Sequence, residues 1–218
     1  MVTRTSISNT ELIFTSVVSG SNDFSETRAT GKNHNRAIFG FGYNGAASYV
    51  SFINLVNVFG NIATDTSTAG TARYYLAAAG YGGDKAIFGF GYTTGLVNII
   101  SRFSNIGVYV DEPTTAGTAR YYLAAAGYGG DKAIFGFGYD GTGAVNIISR
   151  FSNIGVYVDE PTTAGTARYY LAAAGYGGDK AIFGFGYTTG LVNTISRFSN
   201  TGVYVDEPTT ASTARRYL

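Results

Sequence analysis

Three kinds of residue recur in this chain at spacings that suit chemistry. Carboxylates come as adjacent pairs, Asp111-Glu112, Asp159-Glu160 and Asp206-Glu207. Arginines recur inside Thr-Ala-Arg, as Arg73, Arg120, Arg168 and Arg215. Tyrosines recur side by side, as Tyr121-Tyr122 and Tyr169-Tyr170. Neighbouring residues of an extended chain point to opposite faces, so no carboxylate pair is placed to grip one metal ion or share one proton. The expected role of each pair is an Asp-Glu-Pro turn that ends and solvates a strand, with a calcium or ligand contact as the alternative. A guanidinium presents a planar fork of donors, so four recurring arginines could clamp a carboxylate or a sugar acid. The competing expectation is structural: each arginine pairs with an Asp or Glu of its own or the next repeat. Read on a strand, the paired tyrosines place rings on both faces, which leaves one of each pair exposed. Tyr122 and Tyr170 are then candidates to stack on a sugar ring or to anchor a protein, against packing between repeats.

Other chemistries are poorly supplied. His34 is the sole histidine and sits in a polar, turn-like stretch, so a histidine metal cluster, a copper oxidase centre and a Ser-His-Asp triad are all poorly supplied. The chain has no cysteine, which removes disulfide and thiol chemistry. Asp84-Lys85, Asp131-Lys132 and Asp179-Lys180 each follow Gly-Gly and read as hairpin turns; the Gly-x-x-x-x-Gly-Lys-Ser/Thr pattern of a phosphate loop is absent. No catalytic residue, cofactor or metal site is expected.

The recurring residues belong to a longer repeat. The text beginning at Asp84 returns at Asp131 and again at Asp179, the one extra residue falling in the turn Tyr139–Gly143, and a more divergent copy begins near Asn35. These boundaries give an atypical N-terminal region at 1–34 and repeats at 35–83, 84–130, 131–178 and 179–218. Within a repeat, Phe88, Phe90 and Tyr92 alternate with Gly89 and Gly91, which predicts a strand with its large side chains on one face. Val97, Ile99, Ser101 and Phe103 predict a second strand, and Gly107–Val110 a third that ends before Pro113. Tyr121–Tyr128 is read as a fourth, its three alanines leaving a short helix as the alternative. One such sheet cannot bury both of its faces, so the copies must stack. The last repeat ends at Leu218 inside its fourth strand, so Arg216-Tyr217-Leu218 are expected to begin a strand that N-terminal residues complete.

These strands resemble the kelch family. Ile87-Phe88-Gly89-Phe90-Gly91 is similar to its glycine strand, with Phe103 and Tyr109 at its two aromatic positions and Arg120 at the arginine that precedes the next blade. The same pattern falls on Ile134–Gly138 (with Phe135 and Phe137), Phe151, Tyr157 and Arg168, and again on Phe183, Phe185, Phe198, Tyr204 and Arg215. The resemblance implies an all-β propeller of four-stranded antiparallel blades, frequently a protein-binding scaffold and less often a copper oxidase or a sugar binder. The alternative architecture is an open stack of β repeats, a solenoid or filament.

Thirty-one glycines, 18 tyrosines and 15 phenylalanines against 13% charged residues describe aromatic faces set on glycine-permitted close contacts. A formal net charge of +1 supplies no field to draw in nucleic acid. No apolar run reaches the length of a membrane span, and no signal core follows Met1, so a soluble chain of undetermined compartment is expected. The leading expectation for function is a non-enzymatic scaffold for assembly or protein binding, whose partner is a further copy of itself or an unidentified protein. A lectin-like, carbohydrate-binding module using the repeated Tyr and Arg positions is the alternative.

Overall fold

The computed structural model describes residues 17–18, 21–22 and 36–218, apart from 46, 47, 58, 65, 69, 116 and 211. The described chain is all-β, and its strands are short because glycine, threonine and proline interrupt every apolar run. β1 (Val17–Val18) and β2 (Ser21–Asn22) pair with each other. β3 (Arg36–Tyr43), β4 (Tyr49–Asn57) and β5 (Thr66–Ser67) form a three-stranded antiparallel sheet. Three four-stranded meanders follow. The second sheet is β6 (Ala77–Tyr81), β7 (Lys85–Gly89), β8 (Ile100–Phe103) and β9 (Tyr109–Asp111). The third is β10 (Ala124–Tyr128), β11 (Lys132–Gly136), β12 (Ile148–Phe151) and β13 (Tyr157–Asp159). The fourth is β14 (Ala172–Tyr176), β15 (Lys180–Gly184), β16 (Ile195–Phe198) and β17 (Tyr204–Asp206). The alanine run is therefore a strand and not a helix, and it opens the next sheet: Ala77–Tyr81, at the end of one textual repeat, pairs with Lys85–Gly89 of the following one.

Each sheet has one face of aromatics and one of small aliphatics, and adjacent sheets bring unlike faces together. Ala77, Ala79, Ile87 and Ile100 of the second sheet pack with Leu123, Phe135 and Phe151 of the third. Ala124, Ala126, Ile134 and Ile148 of the third meet Leu171, Phe183 and Phe198 of the fourth in the same way. The first junction repeats the scheme with Ile38 and Ile53 against Leu76, Phe88 and Phe103. At each phenylalanine inserted from the following sheet the preceding one carries a glycine: a Cβ on Gly89 would stand 2.9 Å from Phe135 Cε1, and one on Gly136 2.9 Å from Phe183 Cε1.

Two expectations fail here. The kelch-type propeller is not formed: among the described residues every four-stranded sheet keeps two edges of its own, the three- and four-stranded sheets pack on their neighbours in chain order, and no strand of the first of them pairs with one of the fourth. Residues 213–218 lie in no strand, and the paired strands β1 and β2 approach β14 and β3 without pairing with either, so among the described residues no N-terminal strand completes the fourth sheet. The architecture is the open stack of β repeats. Second, Phe88, Phe90 and Tyr92 do not share a face. The strand ends at Gly89, and Phe90 takes a left-handed φ of 62°, as Phe41, Phe137 and Phe185 do at the equivalent positions. That turn sends Phe88 back into the junction with the first sheet and Phe90 forward into the junction with the third.

Candidate functional site

The recurring arginines are the fasteners of the stack. Arg120 leaves the loop before the third sheet and lies with its guanidinium 4.4 Å from the ring centroid of Phe90, in the second. Its nitrogens then donate to Phe135 O (3.2 Å), Ser149 Oγ (2.8 Å) and Glu160 Oε1 (2.5 Å), all of the third sheet. Glu160 completes the knot by accepting from the backbone N–H and the hydroxyl of Thr118 through its other oxygen. Arg73 repeats this with Phe41, Phe88, Ser101 and Glu112, and Arg168 with Phe137, Phe183, Ser196 and Glu207. All three are fully buried. Burial pulls the arginine pKa values down, and the facing glutamates offset this. Burial alone would raise Glu160, but the charge of Arg120 and the hydrogen bonds from Ser149 and Thr118 hold it below the usual carboxylate value. Glu112 and Glu207 behave alike, their serine and threonine partners acting ahead of the arginine charge. The aromatic face and the carboxylate compensate the buried cation, Arg73 Nε also donating to Phe90 O at 2.9 Å, while Nε of Arg120 and of Arg168 is buried without a hydrogen-bond partner.

This geometry takes Arg73, Arg120 and Arg168 out of contact with any ligand. Arg215, the fourth, is exposed; its guanidinium lies 3.9 Å from the Phe185 ring centroid and donates to Thr213 O at 3.4 Å. The Asp-Glu pairs stand at the ends of β9, β13 and β17 with the aspartate side chains partly exposed, and both carboxylates of each pair are also engaged. Glu takes the buried arginine, while Asp111, Asp159 and Asp206 take Arg102, Arg150 and Arg197 of the neighbouring strand. The phenylalanines Phe88, Phe90, Phe103, Phe135, Phe137, Phe151, Phe183 and Phe198 are all fully buried, and Phe185 is half-buried. Tyr109, Tyr157 and Tyr204 stand edge-on against Phe103, Phe151 and Phe198 at 5.8 Å. His34 lies outside the described residues.

The tyrosines form the surface feature. Tyr121 and Tyr122 do not diverge to two faces of a strand. Neither belongs to a strand longer than an isolated bridge, and Tyr122 has a left-handed φ of 56°, which folds its ring to 4.3 Å from that of Tyr121. Tyr75, Tyr170 and Tyr217 share this conformation. The four form a ladder: Tyr122 N–H donates to Tyr75 O at 3.1 Å, Tyr170 N–H to Tyr122 O at 3.0 Å, and Tyr217 N–H to Tyr170 O at 3.1 Å. Their ring centroids lie 4.2, 4.0 and 4.2 Å apart in the same order. Tyr74, Tyr92, Tyr121, Tyr139, Tyr169 and Tyr187 form a second row beside it, joined edge to face at 5.6–5.7 Å. Tyr43 and Tyr49 extend the array over the first sheet. Every member is partly or well exposed. Burial, with hydrogen bonding to Tyr170 and Tyr75, pushes Tyr122 far up; burial, opposed by the bond to Tyr122 and aided by that to Tyr217, raises Tyr170 to about 12.

No protein-family model matches the chain, and no curated protein matches it. The kelch resemblance therefore rests on a motif whose fold is absent and whose sequence relation is not detected.

Sequence reasoning named the pairs Tyr121-Tyr122 and Tyr169-Tyr170, with Tyr122 and Tyr170 as the binding candidates, and did not join them to the eight further tyrosines that make them an array. The signal was present, since Tyr75 and Tyr217 occupy the same repeat position, but the strand reading scattered the rings to opposite faces. Among the described residues no group of three or more His, Cys, Asp or Glu side chains is placed to hold a metal ion. No helix among them is long and apolar enough to cross a membrane.

Proposed function

We propose that the chain is a non-catalytic binding module whose repeat stack holds the tyrosine array rigid and presents it to carbohydrate. The observation that carries this reading is the unbroken run of ring contacts from Tyr43 to Tyr217, partly exposed along its whole length. Tyrosine offers an apolar ring and a hydroxyl with only two side-chain torsions to immobilise, so a pre-packed array loses little entropy on binding. Sugar rings present an apolar face and a rim of hydroxyls, matching both halves of that surface. The buried arginines have no part in recognition, so a neutral glycan fits better than an acidic one. A glycan array followed by calorimetry tests this. Saturable, multivalent binding is expected, weakened at least about tenfold in Tyr75→Ser plus Tyr217→Ser, the two ladder ends. No binding across neutral glycans refutes the reading.

A further inference from the structure

We propose that the tyrosine ladder is an oxidative cross-linking site, at which a peroxidase with hydrogen peroxide joins Tyr122 to Tyr75 or to Tyr170 as dityrosine and so ties neighbouring sheets covalently. Tyr75, Tyr122 and Tyr170 stand just before β6, β10 and β14, so each rung of the ladder spans two sheets. Nothing in this chemistry depends on a sugar. Dityrosine forms when two phenoxyl radicals join through ring carbons that flank their oxygens. The rings must therefore touch, their hydroxyls must lie together, and the oxidant must reach the row. Ring centroids 4.2 Å apart for Tyr75–Tyr122 and 4.0 Å for Tyr122–Tyr170 put ring carbons in contact. The Tyr122 hydroxyl is hydrogen-bonded to those of Tyr170 and Tyr75, which brings the flanking carbons of each pair side by side. The backbone bonds from Tyr122 N–H to Tyr75 O and from Tyr170 N–H to Tyr122 O hold the rings in that register. Tyr75 is 45% and Tyr217 65% exposed, and ring contact leads inward from both to the half-buried Tyr122 and Tyr170.

The second row is arranged differently. Its rings meet edge to face at 5.6–5.7 Å, which aims one ring's edge at the middle of the next. Tyr49 and Tyr74, stacked at 4.6 Å with a hydroxyl bond between them, meet the ladder's conditions at the first sheet. In the reaction each phenol gives up one electron and one proton. The two radicals pair their electrons in one new carbon–carbon bond, and the hydrogen on each joined carbon moves to its oxygen and restores the phenol. The O–O bond of hydrogen peroxide breaks, and the peroxide takes up the two electrons and two protons as two waters.

The test treats the dilute full chain with a haem peroxidase and hydrogen peroxide, then reads intact mass, dityrosine fluorescence and tryptic peptides. Trypsin releases 74–85, 121–132 and 169–180 as three copies of one peptide. Tyr121→Phe lightens the middle copy by one oxygen and leaves the ladder intact. The expected product keeps the single-chain mass of 23.0 kDa less two hydrogens per link. Every linked pair of these peptides is expected to contain the lightened copy, because both rungs pass through Tyr122. Tyr122→Phe keeps the ring and removes only its hydroxyl, so it should leave circular dichroism unchanged and abolish that pair. The linked wild type is also expected to unfold at a higher urea concentration than Tyr122→Phe treated alike, since a cross-link constrains the unfolded chain. No link, a linked pair without the lightened copy, a pair that survives Tyr122→Phe, or products only at multiples of the chain mass overturns the proposal. Equal urea midpoints overturn the claim that the link ties the sheets.

Discussion

Replacing Glu160 by glutamine removes one negative charge and keeps the shape of the knot around Arg120. The guanidinium would retain Phe135 O, Ser149 Oγ and the face of Phe90, so its donors stay largely satisfied. What it loses is the counter-charge, in a place where the arginine side chain is 0% and the glutamate 12% exposed. Removing one partner of a buried pair costs about 3–5 kcal/mol, and the amide oxygen that remains puts this variant near about 3 kcal/mol. For a chain of this size each kcal/mol moves the melting temperature by about 2–4 °C, so a fall of about 6–12 °C is expected. The control is Asp206→Asn, which removes the charge from the exposed Arg197 pair of the last sheet and should leave the melt unchanged within replicate scatter. The pH dependence follows from the direction of the Glu160 shift. Its folded pKa lies below its unfolded value of about 4.3, so its stabilisation is complete above that value and is lost as pH falls through the folded pKa. Glu160→Gln should therefore flatten the acid limb of the stability curve and leave the rest of the profile displaced but parallel. Equal melting shifts for Glu160→Gln and Asp206→Asn would refute the claim that the arginines fasten the stack.

Two further outcomes check the junctions and the array. Gly136→Ala should destabilise by about 1–3 kcal/mol in urea unfolding, because its Cβ would press on Phe183 Cε1 at 2.9 Å, while Gly184→Ala, facing nothing closer than 3.5 Å, should be neutral. Equal effects would show that no ring is inserted at Gly136. In an alkaline titration followed by tyrosinate absorbance, Tyr170 and its second-row neighbour Tyr74 should ionise near 12, and Tyr122 later still. A raised folded pKa contributes stability that is complete below the unfolded value of about 10 and is lost as pH rises towards the folded one, so the fold should weaken across that interval. Tyr122→Phe plus Tyr170→Phe should reduce that alkaline dependence, Tyr74 and the other raised tyrosines keeping their share, and an unchanged profile would count against the ladder.

Repetition and strand content were legible because they are written in spacing. The same seven-residue apolar run returns four times, and alternation over Ala86, Phe88 and Phe103 marks a real face. Stacking was legible for the same reason, since neither face of a repeat is polar enough to meet water. The arginine partners were half legible: Thr-Ala-Arg and Asp-Glu-Pro recur together, but their joining depends on a fold-back of some 40 residues that no local rule supplies. Ring closure was not legible at all. Whether stacked sheets close depends on the rotation between neighbours and on what the chain ends pair with. Both are set by side-chain contacts across the junction, and Arg216-Tyr217-Leu218 form no strand for the N-terminus to complete.

The deepest misreading came from backbone conformation. A left-handed residue that is not glycine costs about 1–2 kcal/mol, and this chain places aromatics there at Phe41, Tyr75, Phe90, Tyr122, Phe137, Tyr170, Phe185 and Tyr217. Each repeat uses the strain twice. At Phe90 it turns the chain so that Phe88 and Phe90, two residues apart, serve opposite junctions, which an ordinary strand cannot do because residues two apart share a face. At Tyr122 it takes the backbone N–H out of its own sheet and aims it at Tyr75 O of the repeat before. At Phe41, Phe90, Phe137 and the tyrosine ladder local strain is accompanied by a contact between repeats, while Phe185 holds the same conformation beneath the Arg215 guanidinium. An isolated repeat would pay the strain and receive neither contact, which is why the motif recurs in company and why a strand rule applied to one copy assigns its rings to the wrong faces.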